Sequence, residues 1–278
     1  MGLPMIRHLV TRGYGITAFD VLPERCALGR EAGATIAPNA SSVAAAADLV
    51  LLNLPTVEAV ESAVFGAGGL AGTLKAGQLI VDFSTIPVEK CRALGHRLRD
   101  QTGCGWVDAP VSGGPSASAT GSLTVMVGGN PGDIAVASSL LGDVSRRLTV
   151  MGGPGAGLAA KMINQLIVGC THAVLSEALI LAEAAGIDAA RIPESLAGGH
   201  ADSTLLQLNY PRMAAREFAP QGYARQLLKD LEMVSSFAGA LKAPTPMTGE
   251  ALNLYRLLVH LGHAEADTTA IVKIFDRP

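Results

Sequence analysis

The chain has 278 residues, 49% of them hydrophobic and 16% charged, with 21 Lys and Arg against 24 Asp and Glu for a net charge of −3. That length corresponds to about two domains of ~150 residues each, and the apolar content excludes a disordered chain. With no basic excess and no extended basic run, nucleic acid is not an expected partner.

In chain order, residues 15–20 (Gly-Ile-Thr-Ala-Phe-Asp) read as a strand, and residues 23–32 as a helix opened by Pro23 and stopped by Gly33. Residues 49–54 and 79–83 are continuous apolar runs, each followed by a helical stretch, the pattern of parallel strands buried on both faces. Residues 106–109, 123–127 and 147–150 extend the sheet, which predicts a doubly wound α/β domain over residues 1–153. After Gly152-Gly153-Pro154-Gly155 no further strand pattern appears. Residues 156–185 read as one long helix interrupted by Gly169, and further helices follow, residues 223–240 being the clearest, so residues 154–278 are predicted to be all-helical.

Residues 162–176 form the longest uncharged apolar helical stretch, shorter than the ~18 residues that cross a bilayer and carrying Asn164, Gln165 and His172. No membrane span and no secretory leader are expected, and Cys26, Cys91, Cys104 and Cys170 are scattered as reduced thiols would be. The expected location is the cytoplasm. The long apolar helices of the second half predict a homodimer or homotetramer.

Three constellations carry chemistry. Asp20 ends a strand where a dinucleotide fold places an acid against the ribose hydroxyls of NAD, although an Asx turn ahead of Pro23 accounts for it equally well. Residues 108–115, Asp-Ala-Pro-Val-Ser-Gly-Gly-Pro, put a Ser112-Gly113-Gly114 turn after a strand, which offers backbone N–H groups to an anion such as a carboxylate. In residues 155–165, Lys161, Asn164 and Gln165 share one face of an otherwise apolar helix; a snorkelling Lys with hydrogen-bonded amides is the plain alternative. His260 and His263, three residues apart, read as packing or surface groups, and no His/Cys cluster is spaced for zinc, so no metal is expected.

These stretches together resemble the β-hydroxyacid dehydrogenase family, which includes 3-hydroxyisobutyrate dehydrogenase and tartronate semialdehyde reductase, and the resemblance covers nearly the whole chain. It implies that Lys161 is the general acid/base and that Asn164 holds the substrate. It further implies that Ser112, Gly113, Gly114 and Gln165 bind the substrate, and that Met1, Gly2, Asp20, Leu54, Pro55, Thr85 and Lys229 lie along NAD, with NADP as the other candidate. Met1-Gly2-Leu3-Pro4-Met5 matches the end of the family's glycine fingerprint, so the first strand and two glycines, about ten residues, are expected to be missing upstream. Relatives carry Gly-Ala where this chain has Ala117-Ser118, a difference expected near the mouth of the pocket. Where an aromatic often stands eight residues before Asp230, this chain has Gly222, with Tyr223 beside it.

A Lys suits the chemistry, since oxidising an alcohol by hydride loss needs a base for the hydroxyl proton. An exposed Lys titrates near about 10.4, and burial beside a cationic nicotinamide is expected to bring it towards about 7 to 8. The expected reaction is hydride transfer between NAD(P) and a small 3-hydroxy acid or semialdehyde. Two alternatives remain at this level: an imine or aldehyde reductase on the same scaffold, and a nucleotide-binding protein without turnover because its glycine loop is missing.

Overall fold

The computed structural model describes residues 1–276; the last two positions of the expected helical domain lie outside the described residues. The chain divides by packing into two units, one from Met1 to Lys161 and one from Met162 onward.

The first unit begins with α1 (Gly2–Thr11), followed by β1 (Thr17–Ala18), α2 (Pro23–Glu31), β2 (Thr35–Ile36) and α3 (Ala40–Ala46). Then come β3 (Leu49–Leu52), α4 (Val57–Phe65), β4 (Leu79–Asp82), α5 (Val88–Thr102) and β5 (Gly105–Asp108). Short β6 (Val111–Ser112), α6 (Gly114–Ala119), β7 (Leu123–Gly128), α7 (Pro131–Val144) and β8 (Ser145–Gly152) complete it. Leu79, Val81 and Val107 pack against Met5 and Leu9 of α1 and Leu140, Leu141 and Val144 of α7. On the opposite side of β5, Gly95 lets α5 approach Trp106, because a Cβ there would lie only 3.4 Å from the tryptophan Cβ. Helices thus cover both faces of the sheet, as the apolar runs predict.

The sheet is divided. Strands β3, β4 and β5 pair in parallel, β5 meets β7 antiparallel at Asp108 and Gly128, and β8 runs parallel to β7. Strands β1 and β2 pair only with each other. Strand β1 thus has a pairing partner on one side alone. This accounts for its being shorter than the predicted residues 15–20. With a partner on one side alone, its ladder rests on bonds such as Thr35 N to Ile16 O at 2.8 Å and Ala37 N to Ala18 O at 2.9 Å.

The long helix α8 (Ala156–Ala184) runs from the end of the first unit into the second, which continues with α9 (Ile192–Leu196), α10 (Thr204–Ala214), α11 (Ala224–Ala240) and α12 (Pro246–His260). Leu179, Tyr210, Leu231, Tyr255, Leu258 and Ile271 form the core of the second unit. Gly169 does not interrupt α8: a Cβ there would lie 2.7 Å from Leu231, so the glycine is where α11 crosses closely. At 29 residues, with an 18-residue window of mean hydropathy 1.6, α8 is long and apolar enough to cross a membrane by those two measures. Its Ala173, Leu175 and Leu179 are buried in the helical core.

Candidate functional site

At the carboxyl edge of the first unit's sheet, the start of α8 is pressed onto the strands. A Cβ on Gly157 would lie 2.4 Å from Met126 O and 2.8 Å from Asp108 O, so only glycine fits. Asp108, 1% exposed, accepts hydrogen bonds from Gly155 N at 2.7 Å and Leu158 N at 2.9 Å. A carboxylate at a helix N-terminus meets the positive end of the helix dipole. Burial still holds its pKa above the usual carboxylate range, against the pull of the Gly155 and Leu158 amides. Asp108 thereby anchors the helix turns that carry Lys161. The sequence reading quoted Asp108 within its string but gave it no role, because only the folded sheet brings Gly155 beside it.

Lys161 is 7% exposed, and its Nζ donates to Val111 O at 2.9 Å. That carbonyl belongs to β6, immediately before Gly113 and Gly114 at φ of +125° and +69°, backbone conformations that favour glycine. A Cβ on Gly113 would meet Ala117 at 2.6 Å. The fold therefore brings Lys161 to the Ser112-Gly113-Gly114 turn, two groups separated by about 50 residues in sequence. At the Ala117-Ser118 difference, Ser118 is buried and its hydroxyl donates to Met1 O at 3.1 Å, tying α6 to the start of α1.

Helix α1 opens at Met1 with no side-chain cap and no acidic residue in its first turn, which leaves its N–H groups and dipole available to an anion. A Cβ on Gly2 would lie 3.9 Å from Asn53 Cβ, so this helix start lies beside the loop that carries Leu54 and Pro55. Asn53 Nδ2 is buried there without a hydrogen-bond partner. An orphaned donor beside an uncapped helix start fits the anionic pyrophosphate and ribose of a dinucleotide. Leu54 N donates to Ser84 Oγ at 2.9 Å, which joins that loop to the Ser84-Thr85 loop after β4. Asp20 stands apart on the exposed surface, and its Oδ1 accepts from Leu22 N at 3.0 Å, the Asx turn that the sequence allowed.

The second unit contributes a chain of side chains. Asn164 Nδ2 donates to Gln165 Oε1 at 2.7 Å, and Gln165 Nε2 to Asp230 Oδ2 at 2.6 Å. Lys229 Nζ lies 3.3 Å from Asp230 Oδ1, an ion-pair contact without hydrogen-bond geometry, since that oxygen is otherwise unpartnered. Thus Asn164, Gln165 and Lys229, all singled out in the sequence, are joined through Asp230. Tyr223 precedes α11, with the Arg225 guanidinium 4.7 Å from its ring centre.

Residues 1–153 match the family of the NAD binding domain of 6-phosphogluconate dehydrogenase. Residues 155–275 match the family described as NAD-binding of NADP-dependent 3-hydroxyisobutyrate dehydrogenase. The fold and these matches define an NAD(P)-binding oxidoreductase. The chain belongs to the β-hydroxyacid dehydrogenase family. It is 33% identical to the NAD-dependent L-serine dehydrogenase of Pseudomonas aeruginosa, over 99% of this chain and 95% of that one. Identity to the 2-hydroxy-3-oxopropionate reductase of Escherichia coli is 32%, over 99% and 94%. The crystal structure of a 3-hydroxyisobutyrate dehydrogenase from Salmonella typhimurium is similar at a TM-score of 0.89 and 27% identity, covering 99% of this chain and 96% of that chain. The cofactor is NAD or NADP.

Proposed function

We propose that this protein catalyses reversible hydride transfer between NAD and a small 3-hydroxy acid, with residues 1–153 as the dinucleotide-binding domain and residues 154–278 as the helical domain. The cofactor supplies the hydride acceptor in one direction and the donor in the other. Lys161 takes the hydroxyl proton as the carbinol carbon loses hydride and the C=O bond forms, and returns it in reduction. Ser112, Gly113 and Gly114 hold the substrate carboxylate on backbone N–H groups, while Asn164 and Gln165 orient the hydroxyl end. Met1, Gly2, Leu54, Pro55, Thr85 and Lys229 bind the cofactor, and Asp20 favours NAD by repelling the extra phosphate of NADP.

The observation that carries this reading is the buried Lys161 Nζ donating to the carbonyl of Val111, directly before the glycine turn suited to a carboxylate. In its neutral form an amine held there accepts the hydroxyl proton of a small acid bound to that turn. Exposed Ile163, Ile167, Val174 and Leu181 along α8 support a cytoplasmic homodimer or homotetramer.

Titration of NADH and NADPH followed by nicotinamide fluorescence tests the cofactor, and rates with L-serine, 3-hydroxyisobutyrate and 2-hydroxy-3-oxopropionate test the substrate class. Tighter NADH binding with turnover of at least one of these is expected. A folded chain that binds neither cofactor, or binds one and turns over none of the three, overturns the proposal.

A further inference from the structure

Two aspartates stand side by side at the carboxyl edge of the sheet, Asp82 ending β4 and Asp108 ending β5, in direct register. Both are 1% exposed, yet they are satisfied differently. Both oxygens of Asp108 accept amides from the start of α8. Asp82 Oδ1 accepts Ser84 N at 2.9 Å, whereas its Oδ2 is buried without a partner. A half-satisfied buried carboxyl is costly.

Ser84 is where the two cofactor loops meet. Its backbone N–H is held by Asp82, and its hydroxyl accepts Leu54 N at 2.9 Å. Leu54 N lies past the end of β3, whose last ladder bond runs from Phe83 N to the Leu52 carbonyl at 2.9 Å, and it donates to the serine instead. The Leu54-Pro55 loop is thus tied to Ser84, and Ser84 to the Asp82 carboxyl.

We propose that Asp82 is a positioning residue for the cofactor: through Ser84 it sets the Leu54-Pro55 loop against the Ser84-Thr85 loop, so that both are in place before the dinucleotide binds. This rests on the reading that these loops bind the cofactor. Preorganised loops lose less freedom on binding, which is where the affinity arises. Burial first, with the Asp108 charge adding and the Ser84 hydrogen bonds opposing, pushes Asp82 up to about 7. A substantial fraction is therefore neutral near pH 7, and Asn is a fair mimic that keeps an oxygen for Ser84 N.

The test is a double-mutant cycle on the full chain, reading the NADH dissociation constant for wild type, Asp82→Ala, Ser84→Ala, the double variant and Asp82→Asn. Amide hydrogen exchange at Leu54 is measured in each without cofactor. Each alanine variant is expected to bind about tenfold more weakly, and the double variant also about tenfold, because the two residues act in series. Asp82→Asn is expected within about twofold of wild type, and the Leu54 amide to exchange faster in all three alanine variants. A multiplicative loss of about a hundredfold in the double variant, unchanged affinity in folded alanine variants, or an Asp82→Asn variant as weak as the alanine would overturn the relay. If wild type binds neither NADH nor NADPH, the cofactor reading has failed, and the relay is then decided by Leu54: unchanged exchange in the alanine variants overturns it as well.

Discussion

The two units hold their buried polar groups by different means. In the first unit backbone does the holding: amides of Gly155 and Leu158 on Asp108, the amide of Ser84 on Asp82, the carbonyl of Val111 on Lys161. In the second unit side chains share the holding: Gln165 bonds Asp230, Asn209 bonds His172, and Arg212 joins the amides of Gln221, Gly222 and Thr269 on Asp267. Backbone partners are delivered by strand ends and glycine turns that any suitable sequence of that pattern builds, so such sites tolerate change around them. Side-chain partners must each be the right residue, so those sites fail one residue at a time.

The comparison can be broken at several points. The largest expected effect is on chemistry: Lys161→Ala should lower turnover by about three orders of magnitude or more while leaving NADH affinity nearly unchanged, read from steady-state rates and fluorescence titration. Retained turnover would remove Lys161 from the acid/base role.

Next comes the side-chain hub of the second unit. Asp267 accepts Arg212 Nη1 at 3.1 Å, Gln221 N at 2.7 Å, and both Thr269 N at 3.1 Å and its hydroxyl at 2.8 Å. Burial opposes its charge, yet the amides of Gln221, Thr269 and Gly222 and the Thr269 hydroxyl hold its pKa below the usual carboxylate range. Asp267→Ala should cost about 3 to 5 kcal/mol in urea unfolding, because Arg212 loses its carboxylate and keeps Ala219 O, while the amides gathered on Asp267 lose their acceptor. A loss below 1 kcal/mol would show that this hub is no more fragile than the backbone-held sites of the first unit.

The backbone-held region is tested by Gly157→Val, whose side chain would collide with the carbonyls of Met126 and Asp108. A loss of about 3 kcal/mol in the first unit is expected, with Lys161-dependent turnover falling too as the start of α8 moves away from β7. An unaltered stability would mean that the helix start is not fixed by this contact.

The smallest effect concerns pH. Tyr255 OH donates to Thr268 O at 2.9 Å, so it accepts His172 Nδ1–H at 3.2 Å and leaves Nε2 to accept Asn209 Nδ2 at 2.7 Å. His172 is therefore neutral, and burial lowers its pKa from 6.5 to about 4 against a weaker upward pull from Asp267. The unfolded chain takes up the proton first as pH falls, so this contribution is complete above about pH 6.5 and is lost between there and about pH 4. By pH 5 the loss is about 2 kcal/mol. His172→Gln should flatten that slope in denaturation curves at pH 7 and 5; an unchanged slope would assign it to other groups.

Much of the first unit was legible in the sequence because its signals are local. Apolar runs bounded by proline and glycine gave β3, β4 and β5, and the glycines at positions 113 and 114 marked a tight turn, whereas the close approach at Gly157 shows only in the folded sheet. The strand ends were less legible, since β1 is as short as its single partner makes it. Tyr223, which stands beside Gly222 where relatives often carry an aromatic, has the Arg225 guanidinium 4.7 Å from its ring centre, a pairing that spacing does not reveal.

What the sequence determined by itself was the order of elements, the change from α/β to all-helical near residue 153, and the residue types placed at each strand end, because periodicity and turn chemistry act over a few residues. Only the tertiary structure decided the partners. It placed the Val111 carbonyl on Lys161 and Asp230 on Gln165, and it left one oxygen of Asp82 unmet while satisfying both of Asp108. Those pairings span 50 or more residues, and a buried polar group takes whichever partner the packed elements bring within about 3 Å.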